Sequence, residues 1–473
     1  MLIQIFHVMG NSNTRLFITT VTLIAALGGL LFGFDVAVVS GIILPVKTQY
    51  QLTASQEGWF VSCALLGCIA GVAFSGTLSD RIGRKKVLAL AAFLFLVSAA
   101  GFALSTSYAG LIFFRVLAGM GVGVASNISP LYISELAPAS RRGRLVTFYQ
   151  LAITIGILVA YCSNLAIQRQ AAAAGDTPGG WLHWLFVTEY WRGMFLVGVL
   201  PAAAFFALLA IVPESPRWLA RFGKQTEALH ILEKINPNKA EAAAELKAIL
   251  SVSADQSGNG LRALLQPPLR HLLIMASVLT AFSQFSGINA VIYYGPTILR
   301  SSGVVANDTL LYQVMLGAAN MLFTFVAIWK VDSLGRRPLY LAGSLCAAVA
   351  LTITGICFML KISGWPLLIP ITLFLLFFAF SLGPLKFVIA TEIFPTPVRG
   401  LALSICILVM WVSDWLLNLL FPVMREGMGI AATFFLFAGC CLFSFFYAKR
   451  YLFETKGQSL ENITIQEKTI THP

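Results

Sequence analysis

The chain has 473 residues, 58% hydrophobic and 11% charged; a soluble domain carries roughly a quarter charged residues, so a water-soluble globule is excluded. The formal net charge is +12, but the cations follow the inside–outside asymmetry of a multi-pass protein, so the charge reports topology rather than a nucleic-acid surface. The apolar residues fall into runs near the ~20 residues that a helix needs to cross a bilayer.

Twelve such runs follow in chain order, at about 16–44, 56–78, 87–105, 109–134, 145–167, 191–212, 271–299, 308–330, 338–360, 366–391, 401–422 and 429–449. Inside lipid every backbone polar group must be satisfied within its own segment, so each run is predicted to be a helix. The pattern predicts an all-α membrane protein with an N-terminal six-helix half (1–218), a cytoplasmic linker (219–270) and a C-terminal six-helix half (271–473). The first run contains Asp35 and is followed by further runs rather than a small-residue cleavage site, so it is not a secretion signal. With the N-terminus inside, only Lys47, Arg169, Arg192, Arg300, Lys361 and Arg425 face outside, and Arg115 and Lys386 fall within runs. The remaining cations are cytoplasmic, the distribution that sets the orientation of a multi-pass protein.

The eight cysteines lie within runs, without metal-ligand companions, and read as packing residues. Of the five histidines only His271 touches a run, at its first residue, so proton chemistry deep inside the membrane must fall to carboxylates. No phosphate-binding loop, nucleophile–base cluster or metal cluster is visible, so neither an enzyme, a metal site, a bound cofactor nor direct use of ATP is expected. Within the linker, Gln225–Ile235 and Lys239–Leu250 have the apolar spacing and composition of short amphipathic helices.

The polar connections repeat. Asp80-Arg-Ile-Gly83-Arg84-Lys after run two returns as Asp332-Ser-Leu-Gly335-Arg336-Arg after run eight. Glu135, Pro138, Arg142 and Gly143 after run four return at the same spacing as Glu392, Pro395, Arg399 and Gly400 after run ten. A weaker pair, Pro213-Glu214-Ser-Pro-Arg217 and Phe453-Glu454-Thr-Lys-Gly457, follows runs six and twelve. Kept order and spacing indicate two structurally equivalent halves. Basic loops could simply anchor to anionic lipid, but that does not account for the acid beside each arginine. The acid–arginine sets are expected to act as releasable cytoplasmic latches, as a two-state conformational cycle needs.

Charges within the runs are costly and usually face a cavity or a partner. Asp35 and Arg115 are expected to pair. Burial favours the neutral acid and the guanidinium favours the carboxylate, so small changes in distance or hydration can move a proton on or off. Lys386 and Asp414 form a second set, either neutralising each other or contacting substrate or a second proton.

These motifs resemble the sugar porters of the major facilitator superfamily. The resemblance is carried by Gly-Gly-Leu-Leu-Phe-Gly-Phe-Asp35, Asp80 to Lys85, Arg115 through Glu135, and Pro213 to Trp218. Gln284-Phe-Ser-Gly-Ile-Asn289 through Tyr294, Asp332 to Arg337 and Glu392 to Gly400 complete it. It implies two bundles rocking about a central sugar site. It places polar contacts at Gln150, Gln284, Asn289 and Asn320, aromatic surface at Phe32 and Trp411, and an outer gate at Tyr293 and Tyr294. Proton symporters of that family carry an aspartate where Asp35 stands, and facilitators a neutral residue. Three positions depart from the family pattern: Ser283 replaces a glutamine, Phe387 a tryptophan and Met410 an amide. Ser283 and Phe387 therefore count among the candidate contacts, and the cargo stays open among hexoses, pentoses and cyclic polyols.

The resulting expectation is import of a sugar or polyol with a proton, by a monomer in the plasma membrane, most consistent with a bacterial inner membrane. The alternatives are a proton-independent facilitator, a sugar receptor, for which a long cytoplasmic extension would be expected, and an organic-anion exporter, raised by Lys386.

Overall fold

The structure is a computed structural model that describes residues 12–138, 142–174, 180–236, 238–252, 260–267, 269–301, 303, 306–394 and 396–454. Every regular element among them is helical. Spans one to five are Ser12–Tyr50, Ala54–Ile82, Arg84–Leu104, Tyr108–Leu136 and Arg142–Ala174. Span six is Tyr190–Leu196 followed by Val199–Leu208, and span seven is Leu269–Phe285 followed by Ile288–Ser301. Spans eight and nine are Ala306–Leu334 and Arg336–Met359. Span ten runs from Trp365–Phe377 through a π-helical turn, Phe378–Leu382, into Gly383–Glu392; spans eleven and twelve are Thr396–Gly427 and Ile430–Tyr451. Among the described residues 11 spans are long and apolar enough to cross a membrane, and span eight contributes the apolar stretch Thr309–Phe325. The all-α, twelve-span architecture is the one that the hydropathy pattern predicts.

The linker helices form where expected, at Gln225–Ile235 and Lys239–Val252, with short helices at Pro216–Arg221 and Gly260–Leu264. Gln225–Ile235 buries Ala228, Ile231, Leu232 and Ile235, the one-face spacing of an amphipathic helix.

Two compact units emerge from the packing. One holds Met1–Asp35, Gly67–Val159 and Arg192–Gly258; the other holds Val36–Leu66, Ala160–Trp191 and Asn259–Pro473. In the first, span three lies along spans four and six. Spans one and five approach closely there: a Cβ added at Gly33 would collide with the Ile153 carbonyl, and one at Gly156 with the Leu30 carbonyl. Lipid offers no hydrophobic drive between helices, so such small-residue contacts supply the packing and fix the part of span one that carries Asp35. In the second unit, span nine packs along spans ten and twelve, and span seven along span eleven.

The weakest repeat turns out to be a helix cap. The Glu214 carboxylate accepts the backbone N–H groups of Arg84 (2.9 Å) and Lys85 (3.2 Å). Glu454 does the same for Arg336 (2.9 Å) and Arg337 (3.2 Å). Each acid satisfies two orphan N–H groups and places negative charge at the N-terminus of span three or nine. Gly83 and Gly335 precede these helices with φ of 102° and 86°, a region disfavoured for residues with a Cβ. A Cβ at Gly83 would also collide with Glu214. Gly83→Ala should therefore cost roughly 1–3 kcal/mol, seen as a lower thermal midpoint of the purified protein; an unchanged midpoint would remove the cap from the account.

Candidate functional site

Span one carries Asp35 and span four carries Arg115, both facing the interior of the first unit. An Arg115 terminal nitrogen donates to Asp35 Oδ2 at 3.2 Å, with 0% of the arginine side chain and 9% of the aspartate side chain exposed. The guanidinium also lies 5.9 Å from the centre of the Phe195 ring, which stacks on Phe102 at 4.0 Å. A recess opens beside the carboxylate, lined by Leu31, Phe34, Phe95, Ser98, Phe195 and neighbouring small residues. Apart from Asp35, only Ser98 in that lining has a side-chain oxygen that could coordinate a metal cation, whereas a carboxylate paired to one guanidinium in an apolar wall can exchange one proton. Within the same unit Phe32 is half-buried on span one and Gln150 is exposed on span five.

In the second unit three of the candidates flank a helix break. Gly287, with φ 84°, separates the two parts of span seven; Ser283 and Gln284 lie just before it and Asn289 just after. Asn289 Nδ2 donates to Gln284 Oε1 at 3.3 Å. Ser283 Oγ is fully buried and has no hydrogen-bond partner among the described residues. Broken membrane helices place polar groups at mid-depth without exposing backbone to lipid. Asn320, half-buried, stands on span eight. On span eleven, Trp411 is 2% exposed and Asp414 3% exposed.

Both members of the second charge set are buried. The turn in span ten sets Lys386 in the first turn of Gly383–Glu392, its ammonium 5.9 Å from the centre of the Phe378 ring and within electrostatic reach of Asp414. Asn418, one turn beyond Asp414, donates to Asp414 Oδ1 at 2.7 Å. The side chain of Phe387 lies outside the described residues. Tyr293 and Tyr294 are buried on the second part of span seven. The Tyr294 hydroxyl donates to the Asn418 carbonyl at 3.0 Å. Gln313 on span eight donates to the Ile292 carbonyl at 3.1 Å. The spacing of Asn418 from Asp414 is the sequence signal that could have found it; Gln313 offered none beyond being a lone amide.

The repeated acids and arginines pair across motifs as well as within them. Arg84 forks onto Glu135 at 3.0 and 3.2 Å, and Ser215 Oγ donates to the same carboxylate. Asp80 takes Arg84 at 3.0 Å and Arg221 at 3.6 Å. In the second copy Arg336 meets Glu392 at 3.0 Å, and Arg399 donates to the Phe394 carbonyl at 3.1 Å. Arg217 is exposed. The side chains of Arg142 and Asp332 lie outside the described residues. The matching Arg84–Glu135 and Arg336–Glu392 pairs each join the start of one span to the end of the next.

At the opposite ends of the spans lies a cluster that the sequence reading did not single out. Glu57, with 1% of its side chain exposed, accepts Lys47 at 2.7 Å and both terminal nitrogens of Arg425 at 3.2 and 3.3 Å. Glu426 also contacts Lys47 at 3.2 Å and Arg425 at 3.3 Å. Beside it, Gly58 presses on the Leu419 carbonyl. From sequence only Lys47 and Arg425 of this cluster were placed, as charges on the outer side of the membrane. The cluster's convergence depends on where spans one, two and eleven end.

The family model described as "Sugar (and other) transporter" matches residues 21–466. The arabinose-proton symporter of Bacillus subtilis is 38% identical, over 96% of this chain and 95% of that protein. The D-xylose-proton symporter of Escherichia coli K12 is 36% identical, over 94% and 95%. A partially occluded, inward-open structure of the E. coli xylose transporter superimposes with a TM-score of 0.81 at 34% identity, over 94% of this chain and all of that one.

Proposed function

Since the chain belongs to the sugar transporter family and is a multi-pass membrane protein, we propose that it imports a neutral monosaccharide or cyclic polyol together with a proton, by alternating access. The observation that carries the proton is the buried Asp35–Arg115 pair at 3.2 Å beside a small recess. Protonation of Asp35 removes its charge, loosens its hold on Arg115 and lowers the electrostatic cost of moving span one against span four. Release of the proton restores the pair. No ATP or cofactor takes part.

The sugar is bound by Gln284 and Asn289 at the break in span seven, with Ser283, Asn320 and Trp411 as further contacts in the same unit; Phe387, Phe32 and Gln150 are contacts by the family resemblance. Amides suit this task because each both donates and accepts, and an indole supplies a flat apolar face. The unpartnered Ser283 hydroxyl supports the reading, since a buried polar atom without a partner is costly until a ligand supplies one. The buried Tyr293–Tyr294 segment forms the gate on the external side. Residues 1–218 and 271–473 act as the rocking halves, joined by 219–270, in a monomer embedded in the plasma membrane with the repeated motifs and both termini cytoplasmic. The Arg84–Glu135 and Arg336–Glu392 pairs are the cytoplasmic latches.

Uptake by proteoliposomes tests the reading. An inward proton gradient should drive accumulation of arabinose, xylose, glucose or myo-inositol, and a protonophore should abolish it. Accumulation indifferent to pH and protonophore would leave a facilitator of the same fold. A thermal-shift screen with the same compounds names the cargo.

A further inference from the structure

The face of span eleven that carries Trp411 also carries Asp414 and Asn418, and the carboxylate of Asp414 is a node for groups from three spans. Asn418 binds it through Nδ2, which also reaches the Asp414 main-chain carbonyl at 2.9 Å. The Asn289 amide reaches toward it from span seven and the Lys386 ammonium acts on it from span ten. A carboxylate buried to 3% exposure needs such a counter-charge to remain tolerable. Its consequence for the neighbouring amides is directional. An ionised carboxylate only accepts hydrogen bonds, whereas an asparagine side chain has one acceptor and two donors. It therefore draws the NH2 side of Asn289 toward itself. That same NH2 also donates to Gln284 Oε1 at 3.3 Å. The group left on Asn289 is its carbonyl oxygen, and the group left on Gln284 is its NH2.

From this chain of contacts we infer that Asp414 is a positioning residue for the substrate, fixing Asn289 to present an acceptor and Gln284 a donor to neighbouring hydroxyls of a neutral polyhydroxylated ring. The inference rests on the proposed reading that Gln284 and Asn289 touch the sugar. Without the carboxylate both amides can flip, and the site loses its preference for one pattern of hydroxyl groups. Lys386 serves the site at one remove, as the counter-charge of Asp414, and a uronate or other acidic sugar is not the cargo that this arrangement selects.

The test uses the full-length protein in proteoliposomes and measures counterflow with whichever of D-xylose, L-arabinose, D-glucose and myo-inositol binds tightest, and with its monodeoxy derivatives. Asp414→Asn should raise KM about tenfold, the scale of one lost hydrogen bond, with Vmax changed far less. The monodeoxy derivatives that the native protein rejects most strongly should bind the variant within about threefold of the parent sugar, because the flipped amides no longer read that hydroxyl. Asp414→Glu should recover part of the discrimination. An unchanged KM and deoxy profile with a lowered Vmax would overturn the inference. If Asp414→Asn fails to reach the membrane, Asp414→Glu carries the test alone: a shifted deoxy profile supports the inference and an unshifted one overturns it. Gln284→Ala and Asn289→Ala separate the two layers. If they raise KM and Asp414→Asn does not, positioning alone falls; if they leave KM unchanged, the sugar site itself is elsewhere and both readings fall.

Discussion

Asp35→Asn is expected to abolish accumulation of sugar against a gradient while sparing exchange of sugar for sugar. One charge crossing 100 mV is worth about 2.3 kcal/mol, which at tenfold per 1.4 kcal/mol supports roughly a fiftyfold gradient. A variant with no titratable group at residue 35 should fall to unity, because its halves move whether or not a proton accompanies the cargo. Exchange requires no net proton movement and should persist. The substitution also strips the counter-charge from Arg115, which is completely buried; removing one partner of such a pair typically costs about 3–5 kcal/mol. A loss of transport could then reflect only a weakened fold. Asp35→Asn combined with Arg115→Met separates the two effects. The double variant should regain thermal stability and still fail to accumulate. Accumulation by either variant would clear Asp35 of the coupling role.

The fold was legible because the membrane imposes length and polarity rules that leave few alternatives. Twelve apolar runs became twelve spans, and the repeated loops marked equivalent points in two halves. Asp35 and Arg115 were legible for the same reason, since a charge in an apolar run is conspicuous and their pairing follows from its cost. The positions of Glu214 and Glu454 were visible, but not their task. Capping the start of span three requires the end of span six to return beside it, and no local signal encodes that return. Asn418 and Gln313 were missed because one amide in a long apolar run looks like ordinary polar glue between helices. The π-helical turn in span ten, which sets the position of Lys386, leaves no periodicity that a window of sequence can resolve.

Glu57 was the least legible of all, and its substitution carries the second large expectation. On the proposed orientation Glu57, Lys47, Arg425 and Glu426 lie at the external ends of spans one, two and eleven. Two cations share the almost wholly buried carboxylate of Glu57, whereas Glu426 has 51% of its side chain exposed. In Glu57→Gln both cations must depend on Glu426, and the packed arrangement loses its best-shielded attraction. Truncating one partner of a buried charge pair costs about 2–5 kcal/mol. Even the lower figure shifts a two-state balance about thirtyfold, toward any state in which water can solvate the separated charges. The variant should therefore favour external opening, with tighter binding of external sugar and a net uptake rate at least tenfold lower. Val46, fully buried near the same end of span one, reports this directly. With the eight native cysteines replaced by serine, a Val46→Cys thiol should react with an impermeant maleimide at least tenfold faster when Glu57→Gln is present. Glu57→Asp should restore part of the protection. Equal labelling with and without Glu57→Gln would mean that apolar contacts, such as that of Gly58 with Leu419, hold this end closed without the charges.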